Sequence, residues 1–151
     1  MQTQSAAKSE TTLKTRFGEV AADVTKAIEF PNGILGMPNQ KSFVISAMPD
    51  KKMDRFQLLQ SLDDSDVSFA VISLETVGNL IDAEHLEEIR NVLEMKKADF
   101  LTMLIVSIQK TPSGAKLSVN LRAPLFIDSS NKQGYQLVLA NSKYPVQHYL
   151  G

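Results

Sequence analysis

Few side chains in this chain could carry out chemistry. The 151 residues include no Cys and two His, His85 and His148, which excludes Cys-ligated zinc, iron-sulfur clusters and thiol nucleophiles. His85 is predicted on the solvent side of a helix and His148 on the surface near the C-terminus. No dinucleotide-binding, phosphate-loop, zinc-protease or serine-hydrolase motif is present. The sequence therefore predicts no catalytic residue, no metal ligand and no cofactor.

The densest group of carboxylates is the run from Asp63 to Asp66, which reads Asp-Asp-Ser-Asp. It lacks the 12-residue loop with a central Gly and a closing Glu that an EF-hand calcium site requires. We therefore expect an exposed acidic turn. A cleft built from Asp63, Asp66 and His85, as in a hydrolase of unknown substrate, stays open as an alternative.

Acidic residues are concentrated in the middle third of the sequence. Residues 61–100 contain 3 Lys or Arg and 10 Asp or Glu, a net charge of −7, whereas residues 1–60 and 101–151 carry +2 and +4. A negative surface repels phosphate and attracts basic proteins, so we expect no direct contact with nucleic acid. The candidate partner-binding residues are Asp63, Asp64, Asp66, Glu84, Glu87, Glu88 and, in a later motif, Arg122.

Two alternatives to a partner-binding acidic surface remain. The acidic residues could simply be a solvated face of the domain. A small barrel could also bind oligonucleotides on aromatic stacking platforms, although the 10 aromatic residues are not interleaved with Lys and Arg in a basic stripe.

Nine short segments have the composition of strands and are separated by Gly, Pro, Asn and Asp. They are residues 13–17, 24–30, 42–47, 56–61, 68–74, 101–109, 116–121, 124–128 and 135–139. Alternating apolar and polar residues predict half-buried antiparallel strands. Residues 101–108 are apolar on both faces and are predicted to form the central strand. Residues 126–139 are predicted to form a hairpin, with Gly134 supplying a positive φ at its turn.

One segment, residues 82–95, has the periodicity of a helix, and Asp82 is predicted to cap its first turn. Its predicted apolar face consists of Leu86, Ile89, Val92 and Leu93. Strands interrupted by one main α-helix predict a mainly β protein, a small antiparallel β-barrel-like domain, because closure removes bare strand edges. Two stacked sheets are the alternative. Residues 1–12 are predicted to be a disordered tail and residues 13–151 the single domain.

The N-terminal residues have no apolar core of the kind found in secretory signals. No stretch approaches the roughly 18 apolar residues of a membrane-spanning helix. We therefore expect a cytoplasmic protein that does not contact membrane.

Several short motifs follow one another in a defined order. They are FGE at 17–19, FPNGILGM at 30–37, LQSLDD at 59–64, NLRAPLFI at 120–127, GYQLVL at 134–139 and YP at 144–145. In this order they resemble the bacterial flagellar assembly factor FliW family over about residues 13–150. The chain departs from the family pattern at Ser65, where the family has Pro, at Val67–Phe69, where it has Leu-Ala-Phe, and at Leu58, where an aromatic is common.

The resemblance implies a non-enzymatic regulator with a β-barrel-like fold and two protein partners, flagellin and the small RNA-binding regulator CsrA. Such a factor antagonises the repression of flagellin translation by CsrA, and accumulating flagellin competes for the factor and frees CsrA. It implies partner switching between proteins, with no small-molecule substrate.

The motif residues also have predicted structural roles. These residues are Phe30, Pro31, Gly33, Gly36, Asn120 and Pro124. Gly33 and Gly36 are predicted to form a tight loop that needs positive φ or close backbone approach, and we expect Phe30, Ile34 and Leu35 in the core. Asn120 and Pro124 are predicted to organise a strand end, since Pro cannot donate to a ladder.

Overall fold

The computed structural model describes residues 10–150, which form eleven strands and two α-helices. The strands are β1 Glu10–Thr15, β2 Gly18–Asp23, β3 Ile28–Glu29, β4 Ser42–Ala47, β5 Gln57–Ser61, β6 Ser68–Ser73, β7 Phe100–Thr111, β8 Gly114–Val119, β9 Leu125–Asp128, β10 Gln133–Gln136 and β11 His148–Tyr149. The helices are α1 Leu74–Val77 and α2 Ala83–Val92, and short 3-10 turns occupy Val24–Lys26, Lys51–Met53 and Lys97–Asp99.

Seven strands close into a barrel, which confirms the predicted architecture. The order β7-β6-β5-β4-β3-β10-β9 returns to β7 because β9 pairs with the first part of that strand. The long strand β7 is the junction, since Phe100–Met103 pair with β9 while Val106–Thr111 pair with β8. The ladders are antiparallel except for one parallel contact between Gln133 of β10 and Glu29 of β3.

Alternation along the strands divides the apolar side chains into two cores. Leu59, Val71 and Met103 point into the barrel, where they pack with Phe30, Ile34 and Phe43. Leu58, Ile72 and Leu104 point outward and are covered by a second layer that includes Val20, Ile81 and Tyr144. Burial on both faces explains why β5, β6 and β7 are rich in apolar residues.

The N-terminal hairpin pairs β1 with β2 from Glu10–Asp23 to Thr15–Gly18. The first strand therefore begins at Glu10, three residues before the predicted start of the domain at Leu13. The rest of the predicted tail lies outside the described residues. Residues 24–26, expected as strand, form a 3-10 turn that follows Asp23, whose Oδ1 accepts from the backbone N–H of Thr25 at 3.0 Å.

Helix α2 is shorter than the predicted 82–95 and differs from it at both ends. Asp82 is the residue before the helix, but its carboxylate makes no capping bond and instead binds Lys143 Nζ at 2.7 Å. Leu86 packs on the outer core, whereas Val92 is 78% exposed, so its assignment to the apolar face was wrong. None of the described helices is long and apolar enough to cross a membrane.

The predicted hairpin is present as β9 and β10, with Asp128 opposite Gln133. The positive φ at its turn belongs to Lys132, at 55°, and not to Gly134. Gly134 is required for a different reason, because a β-carbon there would lie 2.6 Å from the ring of Phe30.

Candidate protein-binding surface

Most of the recognised motifs meet at one end of the barrel. Strands β3, β5 and β10 end there, and β4, β6 and β9 begin there. The connecting segments 30–41, 61–67 and 120–124 therefore share one surface, which we call the motif end. Glutamine 136 ties two of them together, because Gln136 Oε1 accepts from Leu35 N at 2.7 Å and its Nε2 donates to Ala123 O at 3.0 Å.

The loop after β3 has the glycine geometry expected from its sequence. Gly33 and Gly36 have φ of 70° and 80°, and a β-carbon on Gly33 would lie 2.6 Å from the carbonyl oxygen of Met37. Phe30 and Ile34 are buried as predicted. Pro31, which follows Phe30 in the chain, is exposed. Leu35 is 54% exposed, so its placement in the core was wrong.

Segment 120–124 connects β8 to β9 as predicted for a strand end. Asn120 Oδ1 accepts from Ala123 N at 3.0 Å, and Pro124 is buried immediately before β9. Arg122, predicted to face a partner, is half-buried and donates from Nε to the carbonyl oxygen of Tyr144 at 2.7 Å. This contact gives Arg122 a structural role in holding the C-terminal segment.

The acidic turn between β5 and β6 is exposed, as expected. Its backbone is held by hydrogen bonds from the buried side chain of Gln60. The buried side chain of Gln60 donates to Ser61 O at 3.0 Å and to Ser65 O at 3.3 Å, and Gln60 Oε1 accepts from Ser68 Oγ. Gln60 was not predicted to have a role. The pattern that could have indicated one is a polar residue at a buried position of strand β5.

Two aspartates of the turn also use their carboxylates locally. Asp63 Oδ2 accepts from the backbone N–H groups of Lys41 and Ser42 at 3.1 and 3.2 Å. Asp64 Oδ1 accepts from Asp66 N at 2.9 Å. All three residues are exposed, and within residues 10–150 no ion pair involves them.

The structure divides the six predicted acidic contact residues into two groups. The turn with Asp63, Asp64 and Asp66 precedes β6, whereas the helix with Glu84, Glu87 and Glu88 follows it. The two groups therefore lie on different elements, and the start of the helix is held by the hydroxyl of Tyr144, which bonds Asp82 N and His85 Nδ1.

Two acidic residues in or beside helix α2 form ion pairs with cations, whereas the aspartates of the turn form none within the described part of the chain. Arg90 forms an ion pair with Glu87 and lowers the pKa of that carboxyl. Lys143 likewise lowers the pKa of Asp82 at the start of the helix. Among the described residues, Glu87 and Asp82 of the helix region therefore have ion pairs, whereas Glu84, Glu88 and the three aspartates of the turn have none.

The two alternative functions find little support in this geometry. His85 lies in α2 and bonds the hydroxyl of Tyr144, whereas Asp63 bonds the backbone of Lys41 and Ser42, so no described contact joins these side chains in a common cleft. Within residues 10–150 no three His, Cys, Asp or Glu side chains are grouped closely enough to hold a metal ion. The most exposed aromatic side chain described is Tyr149, at 47%, so a row of stacking platforms is lacking in that part of the chain.

Comparison with known proteins identifies the family. The model of the FliW protein family matches residues 11–150. The chain belongs to the FliW family. The match spans the whole barrel and every segment of the motif end, which confirms the resemblance inferred from the motifs.

Curated FliW relatives are similar over most of their length. The chain is 32% identical over 137 residues to the flagellar assembly factor FliW of Alkaliphilus metalliredigens, covering 89% of this chain and 82% of that protein. It is 31% identical over 139 residues to the flagellar assembly factor FliW of Bacillus pumilus, covering 91% and 94%. These matches support assignment to the flagellar assembly factors.

A solved structure shares the fold. A crystal structure of the flagellar assembly factor FliW superimposes with a TM-score of 0.70 at 22% identity, covering 92% of this chain and 96% of that chain. This chain therefore shares its fold with that flagellar assembly factor.

Proposed function

We propose that this chain is a cytoplasmic flagellar assembly factor that binds flagellin and the RNA-binding regulator CsrA. Bound to CsrA, it relieves the repression of flagellin translation. Flagellin that accumulates in the cell competes for the factor and releases CsrA. The protein acts as a non-enzymatic binding regulator without a cofactor.

The observation that carries the proposal is the FliW family match over residues 11–150. Two features of the site support it. The motif end is held by hydrogen bonds among three chain segments, so it can present a fixed surface to a protein partner at little cost in ordering entropy. Its acidic turn carries negative charge that favours a basic protein and disfavours RNA.

Mixing purified protein with CsrA tests the first half of the switch. We expect the two proteins to co-elute in size-exclusion chromatography at micromolar concentration. We also expect a gel shift of flagellin leader RNA by CsrA to weaken as the protein is added. Separate elution together with an unchanged RNA shift would contradict the proposal.

A further inference from the structure

Strand β7 extends beyond the strand that pairs with it on one side. It pairs with β6 only from Met103 to Val106, whereas its ladder with β8 on the other side continues to Thr111. Within residues 10–150, no strand pairs with the β6 side of residues 107–111, which we call the free edge. The sheet is therefore open along this part of β7.

Two residues of the free edge direct their backbone polar groups toward the open side. Leu117 O accepts from Leu150 N at 2.9 Å, so the polar groups of Leu117 point away from β7. Ile108 lies opposite Leu117, and the two form a pair without mutual hydrogen bonds, which leaves the N–H and C=O of Ile108 on the open side. Those of Lys110 point the same way because the direction alternates along a strand. Among the described residues these groups have no partner, so they can bond to an added strand.

A recess lies where β6 and β7 separate. Its volume is about 500 Å³, and its lining includes Phe17, Phe69 and Ile108. Ile108 is 37% exposed, so its side chain is available to a ligand in the recess. The free edge thus borders an apolar depression in the surface.

Arg16 lines the same recess, close to where β6 and β7 come together. Val67 O accepts from Ser61 N on the β5 side, so the next carbonyl, Ser68 O, points toward β7. This carbonyl accepts from Arg16 Nη2 at 2.6 Å, and Ser68 Oγ accepts from Arg16 N at 3.2 Å. Arg16 is exposed and forms no ion pair within residues 10–150. Most of its N–H donors are therefore available to an anion.

We infer that the free edge and Arg16 form a binding site for the C-terminal end of another protein chain in extended conformation. Such a segment adds to β7 as an antiparallel strand, with its main chain bonded to Ile108 and Lys110. It runs in the direction of β6, and it must end or leave the sheet where Ala70 pairs with Val106. Its terminal carboxylate then lies beside the guanidinium of Arg16, which suits bidentate binding of a carboxylate.

Charge determines the direction of the added strand. The hairpin residues 107–118 carry Lys110 and Lys116 and no carboxylate. A parallel strand would bring a terminal ammonium to Arg16, whereas an antiparallel strand brings a carboxylate. The partner residue opposite Ile108 should be apolar, because directly opposite side chains lie on the same face of a sheet. The inference goes beyond the proposed function, since it requires neither CsrA nor flagellin.

A charged edge also has a simpler interpretation. Natural proteins place lysines on edge strands to prevent pairing with other chains. Protection explains Lys110, but it requires neither an apolar recess beside the edge nor a guanidinium within that recess. The two interpretations differ in whether the edge binds a peptide.

NMR titration with a synthetic peptide tests the site. The probe is the N-acetylated pentapeptide Thr-Ser-Thr-Ser-Val with a free terminal carboxylate, added to the isotope-labelled full chain up to about 1 mM, which covers weak binding. We expect the backbone amide signals of Ile108 and Lys110 to shift as the peptide binds. The same peptide with an amidated C-terminus is the matched control and should bind about tenfold or more weakly, because it loses the charge-assisted bonds to Arg16.

Variants of two cations on the N-terminal hairpin test the role of the guanidinium. Arg16→Gln should weaken binding of the free acid by about tenfold and leave binding of the amidated peptide within about twofold. Lys14→Gln removes an exposed cation from β1 and should bind both peptides like the parent. Urea unfolding verifies that each variant is folded. Should Arg16→Gln unfold, the two peptides still test the carboxylate contact on the parent.

The possible outcomes are distinct. Unshifted signals of Ile108 and Lys110 at the highest peptide concentration would overturn the inference in favour of protection. Equal binding of the free acid and the amide would overturn the assignment to a chain end. Shifts of the same signals when the free protein is diluted without peptide would assign the edge to a second copy of the chain. None of these results alters the proposed function, which is tested with CsrA.

Discussion

The edge of the Phe30 ring occupies the space in which a β-carbon of residue 134 would stand. An ideal β-carbon on Gly134 would lie 2.6 Å from two ring carbons of Phe30, and that ring is fully buried. The contact joins β10 to the residue that follows β3. Phe30, the first residue of segment 30–41, can therefore place its ring against β10 only because residue 134 is Gly.

Replacing Gly134 by Ala should destabilise the barrel by steric conflict alone, because the backbone there does not need positive φ. We expect a loss of about 1–3 kcal/mol in the free energy of unfolding, as for other overpacked cores. Urea unfolding measures it. The double variant with Phe30→Leu should recover part of the loss, and strict additivity of the two changes would contradict the proposed contact.

The hydroxyl of Tyr144 anchors the start of helix α2. It accepts from the backbone N–H of Asp82 at 3.0 Å and lies 2.5 Å from His85 Nδ1. We expect Tyr144→Phe to lower the free energy of unfolding by about 1 kcal/mol, because the partly buried N–H of Asp82 loses its acceptor. Tyr149→Phe, which removes an exposed hydroxyl, is the control and should change stability by less than about 0.5 kcal/mol.

The same geometry leads to a prediction for the proton on His85. The hydroxyl of Tyr144 accepts from Asp82 N and still has one proton to donate; we expect it to donate that proton to Nδ1 of His85, 2.5 Å away, so that the neutral ring carries its own proton on Nε2. Nitrogen NMR of the imidazole at neutral or higher pH should report the Nε2-protonated tautomer in the parent. A ring protonated on Nδ1 would show that the hydrogen bond runs the other way.

Asp128 should make stability depend on pH in the acid range. Its pKa is held below the ordinary value by the backbone N–H and side-chain amide of Asn131 and by the backbone N–H of Ser130. A lowered pKa in the folded state means that the stabilisation is present above the unfolded value, about 3.9, and is lost as pH falls through the folded value. Asp128→Asn should cost about 1 kcal/mol at neutral pH and give a flatter decline in the melting temperature below about pH 4. Parallel declines in parent and variant would rule out this role.

The resemblance to the FliW family also predicts that flagellin binds through its C-terminal helical region and displaces CsrA by that contact. A flagellin truncated in that region should therefore leave the complex with CsrA intact, whereas full-length flagellin should dissociate it. Size-exclusion chromatography of the three-protein mixture measures the released CsrA. Equal displacement by both forms would place the flagellin contact elsewhere.

Local patterns in the sequence predicted much of the fold. Residues 42–47 were predicted as a strand with the observed bounds, and residues 101–108 were predicted as the central strand because both of their faces are apolar. Gly33 and Gly36 indicated positive φ correctly, since Gly is the residue that adopts this conformation without steric cost. These features depend on neighbouring residues, which a sequence displays directly.

Features that depend on contacts outside the segment itself were missed. Strand β2, with the sequence GEVAAD, has little intrinsic preference for a strand and forms because β1 pairs with it. Asp82 has the position and chemistry of a helix cap, but Lys143, 61 residues away, binds its carboxylate. Leu35 has the hydropathy of a core residue, and only the folded loop directs it outward.

The central claim is that one protein exchanges CsrA for flagellin, and the fluorescence anisotropy of labelled flagellin leader RNA bound to CsrA tests it most directly. The account predicts that adding this protein lowers the anisotropy as CsrA releases the RNA, and that adding flagellin afterwards restores it. An anisotropy that stays unchanged when the protein is added would contradict the claim.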